Sequence, residues 1–94
     1  MKGELIMARR ILVSGRVQGV AFRWHSRDMA AGFSIGGWVR NLSDGRVELH
    51  LEGAHTALAR MQTWLEHGPP GAKVIGLEAR EVPTEGASSF EILT

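Results

Sequence analysis

Ninety-four residues, 44% of them hydrophobic and 22% charged, suffice for one folded domain with a small core and exclude both a two-domain enzyme and a disordered chain. Eleven basic against ten acidic side chains leave a formal charge of +1, too balanced for the cationic sheath of a general nucleic-acid binder. The absence of cysteine excludes disulfides, thiolate metal sites and a thiol nucleophile, and favours a cytoplasmic setting over a secreted one.

The charge is unevenly placed. Residues 1–47 carry eight basic and three acidic side chains, whereas residues 48–94 carry three and seven, so an anion site is expected in the first half. No apolar run approaches the ~20 residues of a membrane span, and no membrane partner is expected. Residues 1–7 are expected to form a flexible N-terminal extension and residues 8–94 the domain.

Arg9 to Ser14 (RRILVS) is short, branched and apolar, which predicts a central strand stopping at Gly15. Gly15 to Val20 (GRVQGV) reads as a loop, because its glycines weaken helix and strand alike. From Phe22 to Phe33 the positions Phe22, Ser26, Met29, Ala30 and Phe33 recur every three or four residues, which predicts a first helix ending near Gly32. Trp38 to Leu42 reads as a second strand that enters a hairpin turn at Ser43-Asp44-Gly45. In the third, Val47, Leu49 and Leu51 alternate with Glu48, His50 and Glu52, predicting one buried and one solvated face. Ala54, Leu58, Met61 and Leu65 mark a second helix, stopped by Gly68-Pro69-Pro70-Gly71. Lys73 to Val82 is a fourth strand, and Phe90 to Ile92 lies in a short terminal one.

The order βαββαβ is the ferredoxin-like split βαβ plan: an α+β sandwich with an antiparallel sheet of four main strands, a short terminal strand, and two helices on one face. A right-handed crossover makes the first two strands parallel, so the Gly15 loop and Asn41 face each other across about 10 Å. The loop residues Gly15, Arg16, Val17, Gln18, Gly19, Val20, Ala21 and Phe22 can converge their N–H groups and lead into a helix N-terminus, as an anion cradle requires. Arg23 in the first helical turn presents a fork for two phosphate oxygens. A plain glycine turn with a solvated arginine fits the same residues. Asn41 ends an otherwise apolar strand; its amide serves either to stabilise the turn or to hold a water without adding charge.

Val13 to Arg23 (VSGRVQGVAFR), followed by Gly37 to Val47 (GWVRNLSDGRV), Glu52-Gly53 and Gly68 to Ala72 (GPPGA), resembles the acylphosphatases over nearly the whole chain from Ala8 onward. The resemblance implies that Arg23 binds the phosphoryl group together with the loop amides, and that Asn41 positions the attacking water. Ser43, a hydroxyl residue where many members carry threonine, would orient Asn41. The implied reaction is hydrolysis of the carboxylic-phosphoric anhydride of small acyl phosphates to a carboxylate and orthophosphate, with no metal, no cofactor and no phosphoenzyme. Inorganic phosphate would be product and competitive inhibitor, nucleic acid would not be a partner, and the chain would act as a monomer. The parent acid of the leaving carboxylate has a pKa near 4, so no protein general acid is needed.

His25, His50, His55 and His67 have no ligand-like spacing and fall on different elements, so no metal site is expected. The competing reading is a non-catalytic anion-binding or nucleic-acid-binding module on the same scaffold, which binds RNA in a salt-sensitive way and turns over no acyl phosphate.

Overall fold

A computed structural model describes residues 5–93. In chain order they form β1 (Ile6–Arg16), α1 (Phe22–Gly32), β2 (Gly36–Asn41), β3 (Val47–Ala54), α2 (His55–Leu65), β4 (Lys73–Val82) and β5 (Phe90–Ile92). The strands build one sheet in the order β4-β1-β3-β2-β5. Because β3 is antiparallel to both β1 and β2, those two run parallel and finish at the same edge, as the split βαβ plan requires.

Alternation along the strands sends Ile11, Val13, Val39, Val47, Leu49 and Leu51 to one face, where they are buried against Phe22 and Ala30 of α1 and Leu58, Met61 and Leu65 of α2. Burying each of the larger side chains is worth about 1.5–3 kcal/mol. The helical stripes therefore dock both helices on this face and leave the other to polar residues.

The sheet is mixed rather than purely antiparallel, because β5 pairs with β2 in parallel, Gly37 opposite Phe90 and Val39 opposite Ile92. The cause is topological. β4 ends opposite Ala8, near the start of β1, which is also the end of the sheet where β2 begins. A chain that returns from there to the β2 edge can only run in the β2 direction.

β1 extends beyond the Arg9 to Ser14 run at both ends. Ile6 and Met7 pair with Ala54 and Gly53, so the last two residues of the expected extension are strand, while residues 1–4 lie outside the described residues. Gly15 and Arg16, read as loop from the sequence, pair with Val74 and Lys73 after a register shift between Ser14 and Gly15. Gly15 has φ +124°, and a Cβ there would fall 2.1 Å from the Lys73 carbonyl oxygen. Only glycine lets the chain continue through this bulge. β2 likewise starts two residues earlier than Trp38, at Gly36.

A further difference concerns the polar face of β3. Its alternation predicts solvated side chains, yet His50 is 0% and Glu52 4% exposed. Glu52 accepts the backbone N–H groups of Glu85 and Ala87, which pins the connection between β4 and β5 over the sheet. Arg10 donates to His50 Nδ1 at 3.3 Å, so the Nε2–H donates to Glu52, 2.6 Å away. Trp38 stacks on the His50 ring at 5.8 Å. Alternation assigns a side chain to a face, but is silent about a segment 33 positions later that covers that face.

Burial alone would raise the Glu52 carboxyl pKa. The Glu85 N–H, the His50 ring and the Ala87 N–H outweigh it and hold the group below the usual carboxylate value. A carboxyl whose pKa is depressed in the folded state contributes stability above its unfolded pKa of about 4.3 and loses that contribution as pH falls below it, through the folded value. Glu52→Ala leaves two N–H groups without their acceptor. It is expected to cost about 2 kcal/mol, or roughly 10 °C in Tm. In Glu52→Gln the fall of Tm below about pH 4 should be shallower than in the wild type. Thermal melts from pH 3 to 7 check both, and an unchanged acid limb would disprove the assignment.

Candidate active site

β1 and β2 end side by side, separated only by the start of β3. From the end of β1 the chain passes through residues 17–21 into α1. Val17 is fully buried and anchors this loop in the core. The Gln18 side chain reaches across to the turn after β2, its Nε2 donating to the carbonyls of Leu42 at 2.8 Å and Arg46 at 2.9 Å. The loop and the β2–β3 turn are thus held together by one amide. Asp44 stiffens that turn by accepting from the Arg46 N–H at 3.1 Å and Nε at 2.9 Å, and the Arg46 bonds hold its carboxyl below the usual range.

Ala21, which precedes α1, has φ 58° and ψ 29°, the left-handed region that costs a residue with a Cβ about 1 kcal/mol or more. The strained residue turns the chain sharply into the helix. The first helical bond runs from the His25 N–H to the Ala21 carbonyl at 3.1 Å, so the N–H groups of Phe22, Arg23 and Trp24 precede the helical ladder. Among the described residues no side chain caps them, and the first turn holds no carboxylate. An uncapped helix start of this kind presents both N–H donors and the positive dipole end to an anion.

Arg23 extends from this turn. Its Nη1 lies 3.4 Å from the carbonyl of Leu93, and the Leu93 N–H bonds in turn to the Val39 carbonyl at 2.8 Å. The residue that follows β5 thus contributes a rest for the arginine, a long bond that a ligand can replace. Opposite, Asn41 sits two residues beyond Val39 and so points to the same, helix-bearing face. Its Oδ1 is buried and has no hydrogen-bond partner among the described residues. A buried acceptor left unpaired is costly, on the order of 1–3 kcal/mol, and this one borders an open cavity.

That cavity, about 230 Å³, is lined by Val17, Gln18, Gly19, Ala21, Phe22, Arg23, Trp24 and Asn41. Most of the residues expected from the sequence meet there. Gly15 and Arg16 do not, being paired in β1, and Val20 turns inward to pack against the core. Ser43 is exposed, and no hydrogen bond joins it to Asn41 among the described residues. Three features escaped the sequence reading. They are the Gln18 clamp, the approach of Leu93, and Trp24 as part of the wall, whose one signal was its place directly after Arg23. A larger open groove of about 720 Å³ at the far end of α1, bordered by Arg27, Ser34 and Phe90, includes neither Arg23 nor Asn41.

His50, Glu52 and Glu85 bring three potential ligand atoms within 4.8 Å of one another, a grouping that the separate positions of the histidines did not suggest. Both Glu52 oxygens already accept backbone N–H groups and both His50 nitrogens are engaged. Arg10 adds a cation beside them. The group is a clamp on the 83–89 segment, on the opposite face of the sheet from the cavity.

The comparisons with known proteins agree with this geometry. A family model described as acylphosphatase matches residues 9–92. The chain is 49% identical over 78 residues to an acylphosphatase of Pseudomonas paraeruginosa, covering 83% of this chain and 86% of that one. With an acylphosphatase of a Synechococcus species it shares 48% over 82 residues, 87% of each chain. The crystal structure of acylphosphatase from Bacillus subtilis superposes with a TM-score of 0.91 at 38% identity, covering 94% of this chain and 99% of that one. With this match running through the loop, α1 and Asn41 alike, the chain belongs to the acylphosphatase family.

Proposed function

We propose that this chain hydrolyses acyl phosphates by holding the phosphoryl group in the cradle of residues 17–23 while Asn41 positions the attacking water. Hydrolysis of the acyl phosphate is the activity of the family; the division of labour among the residues is the one the resemblance implies, and the arrangement of the site supports it. Arg23 and the N–H groups at the start of α1 bind the phosphoryl oxygens and stabilise the charge they carry in the transition state. Asn41 Oδ1 accepts a hydrogen bond from the water and aims its lone pair at phosphorus. The observation that carries this reading is the unpartnered, buried Oδ1 of Asn41 bordering the same cavity as Arg23.

The step balances without a protein acid or base. A P–O bond forms to the water, the bond from phosphorus to the acyl oxygen breaks, and its electron pair leaves with the carboxylate. Both protons of the water end on the orthophosphate. The carboxylate is stable unprotonated at neutral pH, so the site needs only position and complementary charge. The reading also makes the enzyme a cytoplasmic monomer, in keeping with its lack of cysteine and with a core completed by one chain.

Inorganic phosphate is expected to inhibit competitively, since it fits the same cradle, and purely noncompetitive inhibition would move the site elsewhere. EDTA is expected to leave the rate unchanged, because the phosphoryl group meets an arginine and backbone donors, and among the described residues the cavity is lined by no carboxylate or imidazole. A rate lost on chelation and restored by a divalent ion would overturn this mechanism.

A further inference from the structure

We infer that Trp24, steadied by Arg27, forms a subsite for the acyl half of the substrate and favours acyl groups that carry an aromatic ring. The inference rests on the phosphoryl group occupying the cradle proposed above. Trp24 follows Arg23 in the first turn of α1 and lines the same cavity as Arg23 and Asn41. Its side chain is poorly covered, the residue being 55% exposed. The other two tryptophans already have ring partners, Trp64 against Phe22 and Trp38 on His50. Trp24 is thus a large apolar surface left in water beside a reaction site, a costly arrangement without a ligand to cover it.

Arg27, three residues on along the helix, places its guanidinium 4.3 Å from the centre of the Trp24 ring. It forms no ion pair among the described residues. Its charge is therefore directed onto the indole, which the contact holds in one orientation. A ring fixed before binding loses little freedom when a ligand stacks on it. The carbonyl carbon of an acyl phosphate is one oxygen away from phosphorus, so its substituent lies within reach of the residues that border the cavity, Trp24 among them. A flat aromatic substituent can cover the indole, whereas a methyl group covers almost none of it.

The test compares benzoyl phosphate with acetyl phosphate in the wild type, Trp24→Ala and Trp24→Phe. Comparing the ratio of the two kcat/KM values between wild type and variant cancels the intrinsic difference in reactivity between the anhydrides. In Trp24→Ala this ratio is expected to fall about tenfold, the loss of one aromatic contact, with the change in KM for benzoyl phosphate rather than in kcat. Trp24→Phe should restore most of it. The inhibition constant of inorganic phosphate should stay within about twofold of the wild type in both variants. An unchanged ratio, or a phenylalanine variant no better than alanine, overturns the subsite. A phosphate constant that rises as much as the benzoyl phosphate KM also overturns it, since the effect would then pass through the cradle. Failure of phosphate to compete even in the wild type would instead bring down the cradle reading, and the subsite with it.

Discussion

Arg23→Lys is expected to lower kcat/KM by about a thousandfold, the range seen for arginines and fixed donors that stabilise charge in phosphoryl transfer. The charge is conserved in this variant, so a field effect alone would predict a small loss. What lysine lacks is the planar fork. Arg23 starts in the first turn of α1, beside the N–H groups of Phe22 and Trp24, and its Nη1 is already steered by the Leu93 carbonyl. Two phosphoryl oxygens can be met by one guanidinium held in that plane, whereas an ammonium group on a flexible stem meets them as a point charge. Steady-state kinetics on benzoyl phosphate measure the loss, with a melt to confirm folding. A variant within about tenfold of the wild type would show that Arg23 contributes only charge.

Asn41→Ala is expected to lower kcat by about a hundredfold or more while inorganic phosphate still competes, because Arg23 and the helix N–H groups remain in place. Loss of phosphate binding together with kcat would mean that the amide supports the cradle and not the water. Asn41→Asp separates two chemistries. If the site needed a general base, a carboxylate at this position would preserve catalysis or improve it. In the proposed mechanism the carboxylate stands beside a phosphoryl anion, and repulsion should weaken phosphate binding as well as turnover. The pattern should hold across pH 5–8, the deficit easing toward the acid end as the carboxyl is protonated. Near-wild-type activity of the folded aspartate variant at pH 7 would rule out a neutral water holder.

Much of this site is local in origin, and for that reason legible in the sequence. Helical periodicity from Phe22, strand alternation from Val47 and the turn at Asp44-Gly45 are set by neighbours within a few positions. Together they determine the element order. The handedness of the crossover then brings the loop before Arg23 opposite Asn41 with no knowledge of coordinates. Arg23 and Asn41 could be placed opposite each other because both sit at element ends, where local pattern and chain direction suffice; the catalytic roles proposed for them came from the resemblance.

The tertiary structure decided what depends on segments distant in sequence. The bulge that carries β1 through Gly15 needs the Lys73 backbone alongside it, so the chain on its own reads as a loop there. His50 and Glu52 alternate like solvated residues, and only the return of Glu85 and Ala87 over the sheet buries them. The same return sets β5 parallel to β2 and brings the Leu93 carbonyl to Arg23, a contact spanning 70 positions. Gln18 behaves alike, since its carbonyl partners belong to a turn 24 and 28 positions on. Periodicity records which side of an element a residue occupies; which backbone later arrives to meet it is decided only when the whole chain packs around one core.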